Sequence, residues 1–346
     1  MSKAVLLLQM GGPETLKDVE SFLYNLFNDP FIIQLPPFIK PFQSTLARFI
    51  SSRRTPKVSV LYDEIGGGSP IRFETECQAK ALEKSLKKTL DSEFKVYYAM
   101  RYSPPFLRDV IPVMEEDDIK DLVVIPLYPQ YSEATTGSSL YECKDLFDKA
   151  GLTNNLRVTY IESWFDNPYY IQLMQQRILD KLSLLLAEIV VDKGKTEEKA
   201  LREDILILFS AHGLPEKYVE RGDPYEEQIK ASVSLIMQHE ELKMIRHKIS
   251  YQSKVGPVKW LEPNTEHTII ELAERGEKNL IVVPISFVGD HIETLHEINI
   301  EYKELAEKQG VQNFLMTRAP KANSLLIKAL ESLIINAETG ADSSVL

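Results

Sequence analysis

The sequence predicts an α/β protein, because short apolar runs alternate with amphipathic stretches long enough for helices. The runs Leu122–Leu127 and Leu280–Ile285 are rich in β-branched residues and are bounded by turn residues. Continuous apolar strands of this kind suit a parallel sheet that is covered on both faces. Amphipathic stretches such as Pro168–Val190 separate the strands. This alternation along the whole chain predicts the α/β class.

Each predicted element rests on its own local pattern. The strands are short runs dominated by apolar or β-branched residues, and in chain order they are Ala4–Gln9, Val96–Met100, Leu122–Leu127, Leu156–Ile161, Ile205–Phe209, Lys248–Tyr251 and Leu280–Ile285. The helices have apolar residues at helical spacing and are Cys77–Leu90, Pro168–Val190, Tyr225–His239, Thr265–Arg275, Ile292–Lys308 and Ala319–Glu338. The charged segment 190–203 is predicted to be a loop, and the polar tail 339–346 is expected to fray.

The length and composition are typical of a globular protein with about two domains. The 346 residues are 44% hydrophobic and 26% charged, and the formal charge of −11 argues against nucleic acid as a partner. Cys77 and Cys143 are the only cysteines. A cysteine-ligated iron–sulfur cluster would need about four thiolates. No stretch approaches the ~18 apolar residues of a membrane span, so we expect a reduced, cytoplasmic, soluble protein.

Two halves of the chain are weakly similar to each other. LVVIP at Leu122–Pro126 and LIVVP at Leu280–Pro284 are near copies, and Val5–Leu8 and Ile205–Leu208 are apolar runs of equal length. The same similarity would arise if buried strands merely look alike. If the halves are related, the sequence places the seam between them near Gly151–Asn155.

Residues 31–54, called the lip below, have an unusual composition. They include three prolines, four phenylalanines and a basic end. The prolines argue against a core helix at the start of the segment. An apolar cover over a pocket, or a surface that touches a membrane, would explain the composition. The alternative is an insertion that packs on its own domain.

His212 lies directly after an apolar strand, within FSAHGLP. Ligands bind beyond the carboxyl ends of the strands in open parallel sheets. His212 is therefore predicted to be a base or a metal ligand, unless it is a loop histidine without a task.

Four carboxylates follow the strand Leu280–Ile285 at intervals of three, four and four residues. On an α-helix this spacing aligns them in one stripe. Such a stripe is either a path for a divalent cation, which carboxylate and imidazole can ligate, or a solvated surface face. No HExxH motif or Cys/His quartet marks a closed zinc site, so an open site would suit a metal that is passed on. The stripe consists of Asp290, Glu293, Glu297 and Glu301, and His291 and His296 flank it.

Two glycine-rich turns, Gly11–Gly12 and Gly66–Gly68, match neither a Rossmann fingerprint nor a P-loop. They predict either a close approach of the backbone to a flat ligand or ordinary turns. Arg101 and Tyr102 follow another strand and could receive a carboxylate, although a structural loop is the alternative reading.

Together these segments resemble the ferrochelatase family, whose members insert ferrous iron into protoporphyrin to make haem. The matches run in family order over nearly the whole chain, and only their combination is specific. They are MGGPETL at Met10–Leu16, RRTPK at Arg53–Lys57, YDEIGGGSPI at Tyr62–Ile71, RYSPP at Arg101–Pro105, YPQYS and TTGSS after Leu127, LFSAHGLP at Leu208–Pro215, RGDPY at Arg221–Tyr225, YQSKVGPVKWLEP at Tyr251–Pro263 and FVGDHIETLHEINIEY at Phe287–Tyr302.

The resemblance implies two similar Rossmann-like halves, each a four-stranded parallel sheet flanked by helices, with the porphyrin between them. It predicts a first domain of residues 1–155 plus 316–340, a second domain of 156–315, and a lip that closes over the porphyrin. It also implies that His212 and Glu293 are catalytic and contact the metal, with Asp290, His291, Glu297 and Glu301 as a path for metal or protons. The porphyrin-binding residues that it implies are Met10, Tyr62, Ser69, Arg101, Tyr102 and Tyr251. Our hypothesis is that His212 accepts a porphyrin proton, while Glu293 helps metal delivery or proton exit.

Three positions depart from the family pattern. Tyr251 stands where some members have Trp, and Asn299 stands where the pattern often has Asp. Glu133–Ala134 occupies the region where some relatives have a cysteine that ligates an iron–sulfur cluster. We therefore predict no iron–sulfur cluster and no permanently bound cofactor. Met10 stands where relatives that use coproporphyrin III tend to have Tyr, which favours protoporphyrin IX.

Several other functions stay open. The chain could be a coproporphyrin III ferrochelatase, a cobalt chelatase for a corrin-type precursor, or a haem or porphyrin carrier that binds without turnover. The expected partners are protoporphyrin IX and ferrous iron, with no nucleic acid. The lip allows peripheral membrane contact, so the expected location is the cytoplasm or the periphery of the inner membrane. We expect a monomer or a weak dimer.

Overall fold

The computed structural model describes residues 2–90, 94–193, 196, 203–254 and 258–339. It divides into two compact units, the described parts of 1–164 and 321–346, and Phe165–Pro320. Most of the predicted loop 190–203, nearly all of the predicted tail 339–346 and part of the YQSKVGPVKWLEP segment lie outside the described residues. Those expectations stay predictions.

Each unit contains one four-stranded, all-parallel sheet, and the two sheets have the same topology. The first has the order β2-β1-β3-β4 and the second β6-β5-β7-β8. The predicted α/β class, with two similar four-stranded halves, is confirmed. The strands are β1 Ser2–Gln9, β2 Phe94–Met100, β3 Ile119–Pro126, β4 Arg157–Tyr160, β5 Ile205–His212, β6 Arg246–Gln252, β7 Asn279–Pro284 and β8 Asn313–Met316.

The edge strands β4 and β8 depart from the sequence-based assignment in two different ways. β4 pairs with β3 in the first sheet, although the boundary at 155/156 assigns it to the second half. β8 pairs with β7 and is absent from the strands assigned on residue patterns. β4 lies within the predicted strand Leu156–Ile161. β8 has only four residues, of which one is buried, so its apolar pattern is too short to stand out.

Helices connect the strands, and several of them are missing from the sequence-based assignment. Gln43–Glu64 begins inside the lip and contains Pro56, and its apolar residues are spread around the helix rather than along one face. The helices are Val19–Phe27, Gln43–Glu64, Ile71–Thr89, Leu107–Glu116, Ser138–Lys149, Pro168–Lys193, Glu216–Val219, Tyr225–Ile236, Thr265–Glu274, Lys303–Lys308 and Ser324–Thr339. Short 3₁₀ turns are Leu16–Asp18, Lys40–Phe42 and Leu152–Asn154, and π-helices are Glu133–Gly137 and Glu293–Tyr302.

The similarity of the two halves extends to strand register. Leu8 pairs with Pro126 in the first sheet, and Ser210 pairs with Pro284 in the second. This register aligns Leu8 with Ser210, whereas the sequence comparison aligned it with Leu208. The strands β3 and β7 then both lead through a loop into a π-helix that continues as an α-helix. The corrected alignment puts Met10 in the position that His212 occupies in the second unit.

Each sheet packs against helices to form an apolar core. Side chains of β1 and β3 pack with the helices Leu107–Glu116 and Ser138–Lys149 in the first unit. Side chains of β5 and β7 pack with Thr265–Glu274 in the second. Among the helices of the described ranges, none is both long and apolar enough to cross a membrane.

Candidate active site

The carboxyl end of β5 holds His212 in a single orientation. Its Nδ1 lies 2.6 Å from the carbonyl oxygen of Gly213, which can only accept, so Nδ1 carries the proton. Gly213 N–H donates to Gln252 O on β6 at 2.9 Å. A Cβ on Gly213 would lie 2.5 Å from that oxygen, so the sharp approach of the two strands requires glycine. The Nε2 atom of His212 is left to face other groups.

Glu293 lies between two histidines. Its Oε1 is 3.5 Å from Nε2 of His212, and its Oε2 is 3.7 Å from Nε2 of His291. Phe287 contacts both imidazoles edge to face, with ring centroids 6.3 Å from His212 and 4.3 Å from His291. His291 is buried, and within the described part of the chain neither of its ring nitrogens has a hydrogen-bond partner. The same holds for Oε2 of Glu293, so this group of side chains has unused capacity to bind a ligand.

The two histidines have opposite protonation preferences. Burial disfavours the His212 imidazolium, but the adjacent Glu293 carboxylate outweighs burial and raises the pKa of His212 to about 9. Burial likewise opposes the charge on Glu293, but His212 prevails and lowers the pKa of Glu293 to about 2. Burial lowers the pKa of His291, because its attraction to Glu293 is partly offset by His212. At neutral pH His212 and Glu293 therefore form an ion pair beside a neutral His291.

Glu297 is fully engaged within the protein, unlike Glu293. It accepts hydrogen bonds from Ser253 N at 2.8 Å, Tyr302 Oη at 2.7 Å, Gln252 Nε2 at 3.2 Å and the hydroxyl of Ser253. Burial, with repulsion from Glu293, raises the pKa of Glu297. Its four acceptor positions are occupied by neutral donors, so a cation could ligate Glu297 only by displacing them.

The predicted carboxylate stripe lies on a π-helix rather than an α-helix. The segment Glu293–Tyr302 has i→i+5 geometry, so a spacing of four residues does not place side chains on one line. Asp290 is buried and accepts from the Thr294 hydroxyl at 3.2 Å. Glu301 is 64% exposed and lies 3.8 Å from Nδ1 of the buried His296. The carboxylates thus extend from a buried end at Asp290 to an exposed end at Glu301.

The next question is whether these side chains form a metal-binding site. In residues 2–90, 94–193, 196, 203–254 and 258–339, no group of three or more His, Cys, Asp or Glu side chains is arranged to hold a metal ion. His212, Glu293 and His291 lie close to one another, with Glu293 3.5 Å from Nε2 of His212 and 3.7 Å from Nε2 of His291.

In the first unit, Arg101 is bound to internal carboxylates. Its guanidinium contacts Asp29 Oδ2 at 3.0 Å, Glu142 Oε1 at 2.7 Å and Ser138 Oγ at 3.0 Å. The hydroxyl of buried Tyr102 donates to Asp29 at 2.8 Å. Asp29 Oδ1 also accepts from the first lip amide, Phe31 N–H, at 2.8 Å. Arg101 and Tyr102 therefore anchor the start of the lip, and each nitrogen of the guanidinium already has an internal partner.

The other predicted porphyrin residues have different environments. Met10 directly follows β1 and is half-buried, and Ser69 is half-buried in the turn after the glycines. Tyr62 is 2% exposed and Tyr251 3% exposed. The Tyr251 hydroxyl has no hydrogen-bond partner within the described residues, so it could form a hydrogen bond with a ligand or with water.

The glycine-rich turns pack against each other. A Cβ on Gly68 would lie 2.1 Å from Glu14 O, and one on Gly12 would lie 2.6 Å from Ser69 Cβ. Ser69 N–H donates to Pro13 O at 2.7 Å, which joins the two turns. Close packing of one loop on the other therefore explains the glycines at 12 and 68.

Two residues that sequence reasoning assigned no role contact His212 directly. Tyr225 Oη lies 3.0 Å from His212 O, and Ser286 Oγ lies 3.3 Å from His212 N. Tyr225 ends the RGDPY motif, so the motif itself was a signal. Nothing in the sequence singles out Ser286, because its contact depends on where the chain leaves β7.

The strand order of the two sheets defines a doubled parallel α/β fold, which solved structures of chelatases share. The sirohydrochlorin chelatase SirB from Bacillus subtilis subspecies spizizenii, in complex with cobalt, is 10% identical with a TM-score of 0.52, over 99% of this chain and 98% of that one. SirB from Bacillus subtilis with Fe³⁺ is 12% identical with a TM-score of 0.54, over 99% and 100% of the two chains. At these identities the likeness shows the fold alone.

Sequence comparison gives the particular family. The ferrochelatase family model matches residues 2–338. Ferrochelatase of Nostoc punctiforme is 44% identical over 334 residues, which cover 96% of this chain and 81% of that protein. Ferrochelatase of Picosynechococcus sp. is 45% identical over 333 residues, and the chloroplastic ferrochelatase-2 of Cucumis sativus is 44% identical over 336. The chain belongs to the ferrochelatase family. The predicted resemblance is confirmed, and with it the prediction of an enzyme of the metal chelatase class.

Proposed function

We propose that this chain inserts Fe²⁺ into protoporphyrin IX to form protohaem, with release of two protons. Membership of the family over nearly the whole chain supports haem synthesis by iron insertion. The observation that carries the chemistry is the His212–Glu293 ion pair beside His291, whose ring nitrogens have no hydrogen-bond partner within the described residues. This group combines a proton donor–acceptor pair, a neutral base and a free carboxylate oxygen.

A free porphyrin is planar and has two pyrrole N–H protons, so a metal cannot enter until both protons leave. Binding a distorted macrocycle would selectively stabilise the transition state. Both protons have to be accepted, and His212 and His291 are the two bases beside Glu293. His291 is neutral and can accept a proton directly.

His212 can accept a proton only after losing the one it holds in the pair with Glu293. Its pKa is raised chiefly by the Glu293 charge, against the effect of burial. A dication that approaches Glu293 would neutralise that charge and lower the His212 pKa. The imidazolium would then release its proton to solvent, to which the side chain is 39% exposed. Metal arrival and proton release are thereby linked. This keeps the hypothesis of His212 as an acceptor and assigns Glu293 to metal delivery.

The exact tetrapyrrole is the finer part of the proposal. Met10, directly after β1, favours protoporphyrin IX over coproporphyrin III, and the apolar lip agrees with the more apolar substrate. Met10, Tyr62, Ser69, Arg101, Tyr102 and Tyr251 stay predicted as porphyrin-binding residues. For Arg101 the internal ion pairs favour an indirect role through the lip.

The experiment that tests the proposal is anaerobic turnover with Fe²⁺, and separately with Zn²⁺ and Co²⁺, on protoporphyrin IX and on coproporphyrin III. The absorption change on metallation gives the rate. Faster metallation of protoporphyrin IX is expected. Preference for coproporphyrin III would overturn the substrate assignment, and activity only with Co²⁺ would favour the cobalt chelatase. Tight haem binding without turnover would favour a carrier.

The surroundings of the enzyme are also proposed. We propose that it holds no permanent cofactor and no iron–sulfur cluster, does not bind nucleic acid, and acts as a monomer or weak dimer. The lip exposes Phe38, Phe42 and Phe49 beside basic residues, which supports peripheral contact with a membrane. The location proposed is the cytoplasm or the periphery of the inner membrane.

A further inference from the structure

The main chain of His212 extends beyond the β5–β7 pairing. The ladder between these strands ends at Ser210 and Pro284, after which Ile285 N–H still donates to Ser210 O. Backbone groups alternate sides along a strand, so those of His212 also point toward β7. A continued ladder would offer Ile285 O to His212 N–H, but that oxygen accepts from the Tyr170 hydroxyl at 2.8 Å. The main chain of His212 has other partners on this side.

Tyr225 and Ser286 supply both partners. His212 N–H donates to Ser286 Oγ at 3.3 Å, Ser286 Oγ and Tyr225 Oη are 2.7 Å apart, and Tyr225 Oη donates to His212 O at 3.0 Å. One direction satisfies every group: the Ser286 hydroxyl donates to Tyr225, and the Tyr225 hydroxyl donates to the carbonyl. The three hydrogen bonds form a closed ring in which each donor is used once.

The RGDPY motif is built to place Tyr225 in this ring. Gly222 has φ of +97°, a conformation that favours glycine. Asp223 Oδ1 accepts from Tyr225 N–H at 3.0 Å, and Pro224 caps the helix that begins at Tyr225. Tyr225 is 6% exposed, and its buried ring holds the hydroxyl against β5.

We propose that Tyr225 and Ser286 are positioning residues that fix the His212 backbone and so aim its Nε2 at Glu293. Neither residue needs to touch the substrate for this role, which rests on the proposed function of His212. The Nδ1 contact with Gly213 O fixes the rotation of the imidazole, and the ring of hydrogen bonds fixes the peptide that bears it. Small displacements of a reacting group cost large factors in rate, so the ring serves catalysis more than stability.

The test uses the full-length protein with Tyr225→Phe, Ser286→Ala and the double variant. Ser232→Ala is the matched control, because the buried Ser232 hydroxyl donates to Phe165 O at 2.8 Å in the same unit, a hydrogen bond that is not part of the ring. We expect each ring variant to lower kcat by roughly 10- to 100-fold while KM for the porphyrin stays within about twofold. The control should keep wild-type kcat.

The double variant distinguishes a ring from two separate contacts. Removing either hydroxyl opens the ring of hydrogen bonds and removes most of its effect on kcat. The kcat of the double variant should therefore be little lower than that of either single variant. Additive losses would overturn the ring, as would a wild-type kcat in Tyr225→Phe. A fall in kcat matched by an equal loss in the Ser232→Ala control would show a general structural effect instead.

A second readout does not need turnover. In ¹⁵N-histidine-labelled protein without substrate, the imidazole signals of His212 should be sharp in the wild type and in Ser232→Ala. They should be broadened in Tyr225→Phe and in Ser286→Ala. Unchanged His212 signals in both ring variants would overturn the proposal even if the protein proved inactive. Inactivity of the wild type with broadened variant signals would instead overturn only the proposed function.

Discussion

His212 and Glu293 show how one contact sets the charge of a side chain. The side chain of His212 is 39% exposed and that of Glu293 is 21% exposed, so water weakens the attraction between them but does not abolish it. The two residues are far apart in sequence and meet because the parallel strands β5 and β7 end at the same edge of the sheet, where the π-helix after β7 begins with Glu293. Each therefore depends on the other for its protonation state.

Replacing Glu293 by Gln should reverse the shift of the His212 pKa. Without the carboxylate, the two largest contributions that raise the His212 pKa are lost, and Glu297 and the Gly213 carbonyl alone oppose burial, so His212 should titrate well below about 9. Histidine ring signals in an NMR titration measure this directly. Glu301→Gln is the control, because Glu301 is 64% exposed and faces His296 instead. A His212 pKa that stays near 9 in Glu293→Gln would contradict the pair.

The same pair predicts how stability depends on pH. The raised pKa of His212 contributes stability that is fully present below 6.5 and is lost as pH rises through about 9. The lowered pKa of Glu293 contributes stability present above 4.5 and lost as pH falls through about 2. The excess of the wild type over Glu293→Gln in free energy of unfolding should therefore be largest between pH 4.5 and 6.5. Urea unfolding at pH 5.5 and pH 9 checks this, and an equal difference at both would count against it.

Asp29 offers a prediction about stability alone. Its side chain is 1% exposed and pairs with Arg101, which is 16% exposed. Asp29→Ala leaves that guanidinium short of one buried partner and should cost about 3–5 kcal/mol in free energy of unfolding. Asp145→Ala removes an exposed pair with Lys149 and should cost about 0.5 kcal/mol or less. Chemical denaturation of the two variants compares them, and equal losses would show that burial of the first pair does not matter.

The residue types of the site were predictable from the sequence, but their partners were not. FSAHGLP and the carboxylates after β7 both follow apolar strands, and parallel sheets bring such strand ends together. Arg101 looked available for a substrate carboxylate because its partner Asp29 lies 72 positions earlier, in a segment with no motif. Only the folded chain shows that Asp29 and Glu142 occupy the guanidinium.

At the scale of elements, the strong patterns predicted the central strands, and the weak ones failed. β1, β3, β5 and β7 are buried along nearly their whole lengths, so their apolar runs are continuous. The four-residue β8 has no such run. The π-helix Glu293–Tyr302 was predicted as part of an α-helix, because helical periodicity in a short window does not distinguish i→i+4 from i→i+5 bonding. The prediction that an α-helix aligns the carboxylates in one stripe was therefore wrong.

Gly213 tests the close approach of β5 and β6. Gly213→Ala would place a Cβ 2.5 Å from Gln252 O, a backbone atom that cannot move freely, so we expect a loss of about 1–3 kcal/mol and a lower kcat. Gly276→Ala is the control, because Gly276 has φ of +88° but open space around it. It should cost about 1–2 kcal/mol from backbone strain and leave kcat unchanged. Wild-type kcat in Gly213→Ala would show that this approach does not position His212.

The charge of the whole molecule is distributed unevenly. The chain has a formal charge of −11, yet residues 31–54 contain four basic residues and no acidic one. Phe38 is 78% exposed, Phe42 62% and Phe49 56%, and the guanidinium of Arg53 lies over the Phe49 ring. An apolar surface beside positive charge suits the interface of an anionic bilayer, where each Lys or Arg adds about 1 kcal/mol of attraction.

The double variant Phe38→Ser/Phe42→Ser should therefore lose affinity for anionic phosphatidylglycerol vesicles by at least about tenfold, because each phenylalanine buries its ring in the interface. Phe73→Ser is the matched control, since Phe73 is 70% exposed but lies outside the lip on the helix Ile71–Thr89. Co-sedimentation at low and high salt measures the affinity, and binding by the wild type should weaken as salt screens the basic residues. Neutral phosphatidylcholine vesicles separate the apolar contribution from the charge. A wild type that binds neither vesicle, or an equal loss in Phe73→Ser, would contradict membrane contact through the lip and favour a lip that only covers the porphyrin.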